Sequence, residues 1–161
     1  MTEKYAGSEV IRMAVEIETK GKAFYDGVVA SVKDARTREI FQYLADEEVK
    51  HEKLFKKILQ DLGPEAEEGP YDASEMTAYF RSLIDGKIFP GGDEGAAMKR
   101  EMGNPASAVR VALSFEKDAI LFFHELLAVT REEGKRAVEH VIAEEREHIR
   151  RILELKEALG V

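Results

Sequence analysis

The chain has 161 residues, no cysteine and a formal net charge of −8 at neutral pH. That length suits one domain over residues 1–161 with a core of useful size, and the missing cysteine excludes disulfides, thiolate metal sites and thiol redox chemistry. The acidic balance argues against nucleic acid and anionic membrane as partners, no apolar run approaches the roughly 18 residues that span a bilayer, and no secretory signal opens the sequence, so a cytoplasmic protein is expected.

A first helix is predicted over about residues 8–31, with Ser8 as its N-cap before Glu9. Its apolar stripe runs Ile11, Ala14, Glu18, Gly21, Tyr25, Val28, so one acid interrupts a core-facing series. A second helix is predicted over about 34–62, capped by Asp34 and stopped by Gly63-Pro64. Its stripe runs Phe41, Leu44, Glu48, His51, Phe55, Ile58, Leu62. Glu48 and His51 are three residues apart and therefore share a helix face.

The next stretch, about 63–104, is too long for a tight hairpin and suits a crossover to the other end of a bundle. A short helix is expected near Ser74–Ile84 and a second near Glu94–Met102, while acid-rich Glu65–Glu68 reads as a solvated loop. The third long helix is predicted over about 105–129, opened by Asn104-Pro105, with the stripe Val109, Ala112, Glu116, Ala119, Phe123, Leu126. The fourth is predicted over about 131–159, with Thr130 and Glu133 as a capping box. Its stripe runs Val138, Val141, Glu145, His148, Ile152, Leu155, Leu159.

The four stripes make an internal repeat. Glu18 and Glu116 lie 98 positions apart, and Glu48 and Glu145, like His51 and His148, lie 97 apart. Two matched helix hairpins about a pseudo-twofold axis would aim four carboxylates and two imidazoles at one point. Ionisable groups at helix core positions are costly unless paired or bound to metal, so these six are the candidate metal ligands. Carboxylate with imidazole suits iron or manganese better than thiolate-preferring metals. Gly21 and Ala119, one turn beyond the lone acids, could leave room for ligands or a small oxidant, or could serve close helix packing. Tyr25, two turns from Glu18, is placed to hydrogen-bond a ligand carboxylate. His124 and His140 have no ligand-spaced partner and read as surface or packing residues. Ile17, Phe24, Phe115 and Phe122 form a second apolar edge that either completes the monomer core or buries a dimer interface.

The segments LADEEVKHEKL (44–54) and VIAEEREHIRRI (141–152) resemble the ferritin-like superfamily, specifically the rubrerythrin-type di-iron domain. VEIETKGKAFY (15–25) and SFEKDAILFF (114–123) are similar to that family's first and third helices. The resemblance implies an all-α, ferritin-like four-helix bundle of two hairpins joined by the long crossover. It implies two iron ions, with manganese as the alternative. Glu18 with His51 would bind one ion and Glu116 with His148 the other, Glu48 and Glu145 bridging.

Dioxygen or hydrogen peroxide would be the oxidant, and the protein a ferroxidase- or peroxidase-type oxidoreductase in oxidative-stress or iron handling. The alternatives are a non-catalytic iron-storage subunit and a di-metal oxidase of a small organic substrate. Rubrerythrins often carry a four-cysteine rubredoxin-like domain; without cysteine, an external donor, for instance a rubredoxin-like protein, is expected. Ala119 stands where that family commonly has a second acid. Val49 stands where bacterioferritin has its haem-ligating Met, so no haem is expected. Family relatives also make a homodimer the expected assembly.

Overall fold

The computed structural model describes residues 8–62, 73–85 and 92–161. Among them there are six helices and no strand: α1 Ser8–Ser31, α2 Ala35–Leu62, α3 Ala73–Ile84, α4 Gly92–Glu101, α5 Pro105–Val129 and α6 Glu132–Leu159. The architecture is an all-α, ferritin-like bundle. α1 packs along α2 and α5 along α6, and the two hairpins meet through α1 with α5 and α2 with α6. No helix among the described residues is long and apolar enough to cross a membrane.

Local chemistry explains several helix ends. Asp34 accepts from the Thr37 backbone N–H at 2.7 Å and from the Thr37 hydroxyl at 2.6 Å, so one side chain satisfies an orphan donor of α2. Asn104 Oδ1 accepts from the N–H groups of Ala106 and Ser107, with Pro105 preset for the first turn of α5. Gly160 closes α6 with φ 70°, left-handed backbone that a side chain would strain. The residues flanking Ser8 on its N-terminal side and the Gly63-Pro64 stop lie outside the described residues, as does the Glu65–Glu68 stretch.

The corner between α5 and α6 differs from expectation. The Thr130 cap of the last helix does not form. Thr130 instead ends α5: its N–H donates to Leu127 O at 3.2 Å and its hydroxyl to Leu126 O at 2.6 Å. The reason is position: α6 starts at Glu132, one residue too late for Thr130 to occupy its N-cap, and the Glu133 side chain lies outside those described. Arg131 holds the N-cap position of α6 without a side-chain hydrogen bond.

The core is continuous. Ile11, Phe41, Leu44, Phe55, Phe123, Leu126, Val138 and Ile152 are all fully buried. The second apolar edge is covered within the single chain: Ile17, Phe24, Phe115 and Phe122 are 1–4 % exposed or less. The crossover helix α3 supplies part of that cover. It packs against α1 and α5, and its Phe80 ring meets Phe122 edge-on with centroids 5.3 Å apart. Arg81 ties the same helix to Glu16 of α1 at 2.8 Å. The apolar edge thus completes the monomer.

Candidate metal centre

All six sequence-predicted ligands converge in the middle of the bundle. Glu18, Glu48, His51, Glu116, Glu145 and His148 are each no more than 2 % exposed. α1 and α5 carry the lone acids, and α2 and α6 carry the Glu-x-x-His pairs, whose three-residue spacing turns both side chains to the same face. The side chains form two groups of four: Glu18, Glu48, His51 and Glu145, and Glu48, Glu116, Glu145 and His148. Within each group one donor atom per residue lies within 4.8 Å of the others. Donors bound to a common ion at roughly 2.1 Å can be at most about 4.2 Å apart, so a small contraction closes either shell. Glu48 and Glu145 belong to both groups.

Glu145 is central. Its Oε1 lies 3.0 Å from His51 Nδ1 and its Oε2 lies 2.8 Å from His148 Nδ1. The two imidazoles stack with centroids 5.5 Å apart and planes tilted by 22°. Glu18 Oε2 is 3.5 Å from His51 Nδ1; Glu116 Oε1 and Glu48 Oε1 are 3.4 and 3.5 Å from His148 Nδ1.

These close approaches do not satisfy the polar atoms. Both oxygens of Glu18 and of Glu48, Oε2 of Glu116 and of Glu145, and Nδ1 of both histidines lack a hydrogen-bond partner although they are buried. Natural cores leave few such atoms unpaired. A cluster of orphaned carboxylate oxygens and imidazole nitrogens, all converging, fits divalent cations. Oxygen and nitrogen donors without sulfur suit iron or manganese.

The electrostatics agree. Burial, and then the charge of neighbouring carboxylates, pushes Glu18 and Glu48 well above the ordinary carboxyl range. Glu116 is pushed up to about 8 by burial and then by the charge of Glu145. Burial also acts to raise Glu145, but the adjacent His148 and His51 outweigh it and hold that carboxyl low. Burial acts to lower the two imidazoles; the carboxylates around them win, raising His51 to about 10 and His148 to about 11. In the metal-free protein, then, protons carry the positive charge that balances the acids.

Residues outside the six orient them. Tyr25, fully buried, donates its hydroxyl to Glu116 Oε1. Burial and then the charge of Glu116 raise the Tyr25 phenol well above its ordinary value, so it remains a donor. Glu144 Oε2 lies 2.8 Å from His51 Nε2 and forms a hydrogen bond with it. A donor Nε2 leaves Nδ1, the nitrogen facing the carboxylates, free to bind metal. Tyr43 and His148 meet edge-on, centroids 6.1 Å apart, and the Arg151 guanidinium lies over the Tyr43 ring at 4.2 Å from its centroid.

Glu144 and Tyr43 are not singled out by the sequence pattern, because each falls off its apolar stripe. The repeated Glu-Glu doublets, Glu47-Glu48 and Glu144-Glu145, were the available signal. The two halves use them differently: Glu144 reaches His51, whereas Glu47 pairs with Lys50. His124 and His140 stand away from the centre. His124 is exposed beside Arg146, and His140 lies 3.3 Å from the outer side of Glu144 with its side chain 66 % exposed. The space left by Gly21 is taken up: a Cβ there would sit 2.7 Å from Phe115 Cζ and 2.9 Å from Glu48 Oε2.

Comparison with known proteins adds one finding. A family model described as Rubrerythrin matches residues 9–86, the stretch containing Glu18, Glu48 and His51. No curated protein and no solved structure matches the chain.

Proposed function

The match over residues 9–86 makes this a rubrerythrin-type ferritin-like domain, and on that premise we propose that it is a di-iron protein that oxidises Fe(II) or reduces hydrogen peroxide or dioxygen. One observation carries the reading: two four-donor groups, buried and poor in hydrogen bonds, share Glu48 and Glu145. Glu18 and His51 would hold one ion, Glu116 and His148 the other, and the shared pair would span both. Two divalent charges balance four carboxylates, leaving a nearly neutral interior. Iron bound there supplies reversible Fe(II)/Fe(III) chemistry toward dioxygen or peroxide.

The protein's own part is to bind, orient and keep dry. Ligands no more than 2 % exposed exclude bulk water, which strengthens every charge interaction inside. Glu144 fixes the tautomer of His51, and Tyr25 pins one oxygen of Glu116. Protons held by the imidazoles and raised carboxyls leave as metal enters. An external electron donor would return the centre to its starting state, because the chain has no cysteine for a thiol or iron–sulfur relay.

The test is metal analysis of protein purified without tag or chelator, followed by aerobic Fe(II) loading. About two ions per chain, a near-ultraviolet ferric absorption band and peroxide consumption with an added donor are expected. Stoichiometric Fe(II) oxidation without recycling would instead mark an iron-storage subunit. Fewer than about one ion per chain, with no ferric band, would remove the proposal.

A further inference from the structure

A cavity of about 320 Å³ lies between α1, α4 and α5. Its inner wall is apolar: Phe24, Phe115, Ala108, Val111, Met98 and Met102. Ser107, itself buried, contributes a hydroxyl, and exposed Glu101 and Ser114 stand at the outer side. The volume is at the lower end for small-molecule sites, and a mostly apolar lining with a few polar groups is their usual make-up. Methionine thioethers adapt to ligands of varied outline.

The position of this cavity distinguishes it. Phe115 lines it and is 4 % exposed. The same ring approaches Gly21, where an added Cβ would lie 2.7 Å from Phe115 Cζ and 2.9 Å from Glu48 Oε2. One aromatic ring therefore both lines the cavity and reaches the neighbourhood of Glu48, a carboxylate shared by both four-donor groups. The repeat does not impose this arrangement. It places Ile17 opposite Phe115 and Ala119 opposite Gly21, and α4 belongs to the crossover rather than to either hairpin.

We propose that this cavity binds a small, uncharged, mostly apolar organic molecule and that Phe115 partitions it from the Glu48 side of the metal centre. An anion would meet Glu101 with no cation among the described lining residues to offset it. The partition role rests on the di-metal reading; the binding does not.

Indole is a suitable probe because the chain contains no tryptophan to mask its fluorescence. Metal-free wild type is expected to bind about one indole per chain, saturably, with a blue-shifted emission. Val111→Phe fills the cavity and should weaken binding at least about tenfold. Ala97→Phe, on the peripheral α4, fills the same space and keeps the test open if the first variant does not fold. In the Co(II)-loaded protein, indole should shift the visible Co(II) bands, and Phe115→Leu should enlarge that shift. Absence of saturable binding, or equal binding by a folded filled variant, overturns the site. Binding that leaves the Co(II) bands unmoved in both wild type and Phe115→Leu overturns the partition. Failure to take up Co(II) at all counts against the di-metal reading and leaves the metal-free result to decide the site.

Discussion

Glu145 sits 3.0 Å from one imidazole Nδ1 and 2.8 Å from the other, and Glu144 beside it reaches the far nitrogen of His51. Successive helix residues point about 100° apart, so adjacent acids serve different sides of the site. The division gives a prediction. Glu144→Ala should lower metal affinity by about 10–100-fold, as expected for loss of a histidine-orienting carboxylate. Competition with a chromophoric chelator would measure it, with Glu147→Ala, a half-buried acid that pairs with Arg150 on the same helix, as control. Equal affinities in the two variants would show that Glu144 does not orient His51. The six central donors were legible in the sequence because each interrupts an apolar stripe. Glu144 was not, because a solvent-side acid and an acid bonding across to another helix have the same local pattern.

At the scale of the element, α3 is the part the periodicity undervalued. A short helix in the crossover was visible around Ser74–Ile84, and the structure has it over Ala73–Ile84. Its use was not visible. Phe80 closes over Phe122 and is 1 % exposed, so a loop helix becomes a wall of the core. Phe80→Ala should cost about 3–5 kcal/mol, the usual loss for a large buried aromatic. Urea unfolding of the metal-free protein would measure it; a loss under about 1 kcal/mol would mean that α3 is dispensable. The same ambiguity explains the second apolar edge. Sequence alone offers Ile17, Phe24, Phe115 and Phe122 to a dimer partner or to the chain itself, and only packing shows that the chain keeps them. The Thr130 miss is of another kind, since one hydroxyl suits the end of one helix and the start of the next equally well.

For the whole molecule, the all-helical, two-hairpin plan follows from four amphipathic stripes, a repeat and one long connection. The buried charge it encloses makes stability depend on pH and, on the di-metal reading, on metal as well. Glu116, raised to about 8, keeps its proton in the fold after the unfolded chain has lost it. Between the ordinary carboxyl value and about 8 the native state therefore binds more protons, and stability falls as pH rises. His51 and His148 act in the same direction: their contribution is complete below the ordinary imidazole value and is lost as pH rises through about 10 and about 11. Glu145, held low, contributes above the ordinary carboxyl value and loses that contribution as pH falls through its folded value. The metal-free melting temperature should accordingly drop from about pH 6 to about pH 9. The increment from Fe(II) or Mn(II) should grow over the same range as fewer protons compete, reaching about 2.7 kcal/mol at a hundredfold excess of free metal over Kd. Scanning calorimetry with and without metal checks both trends. A metal increment that shrinks with pH would contradict proton displacement.

The reach of Glu145 to both imidazoles has a consequence for how such a protein is made. Hydrogen ions can balance the clustered carboxylates, so on the di-metal reading a newly synthesised chain need not wait for metal before collapsing to its final shape. On the di-metal reading, metal would then enter a receptacle that is already assembled, exchanging with protons as it binds.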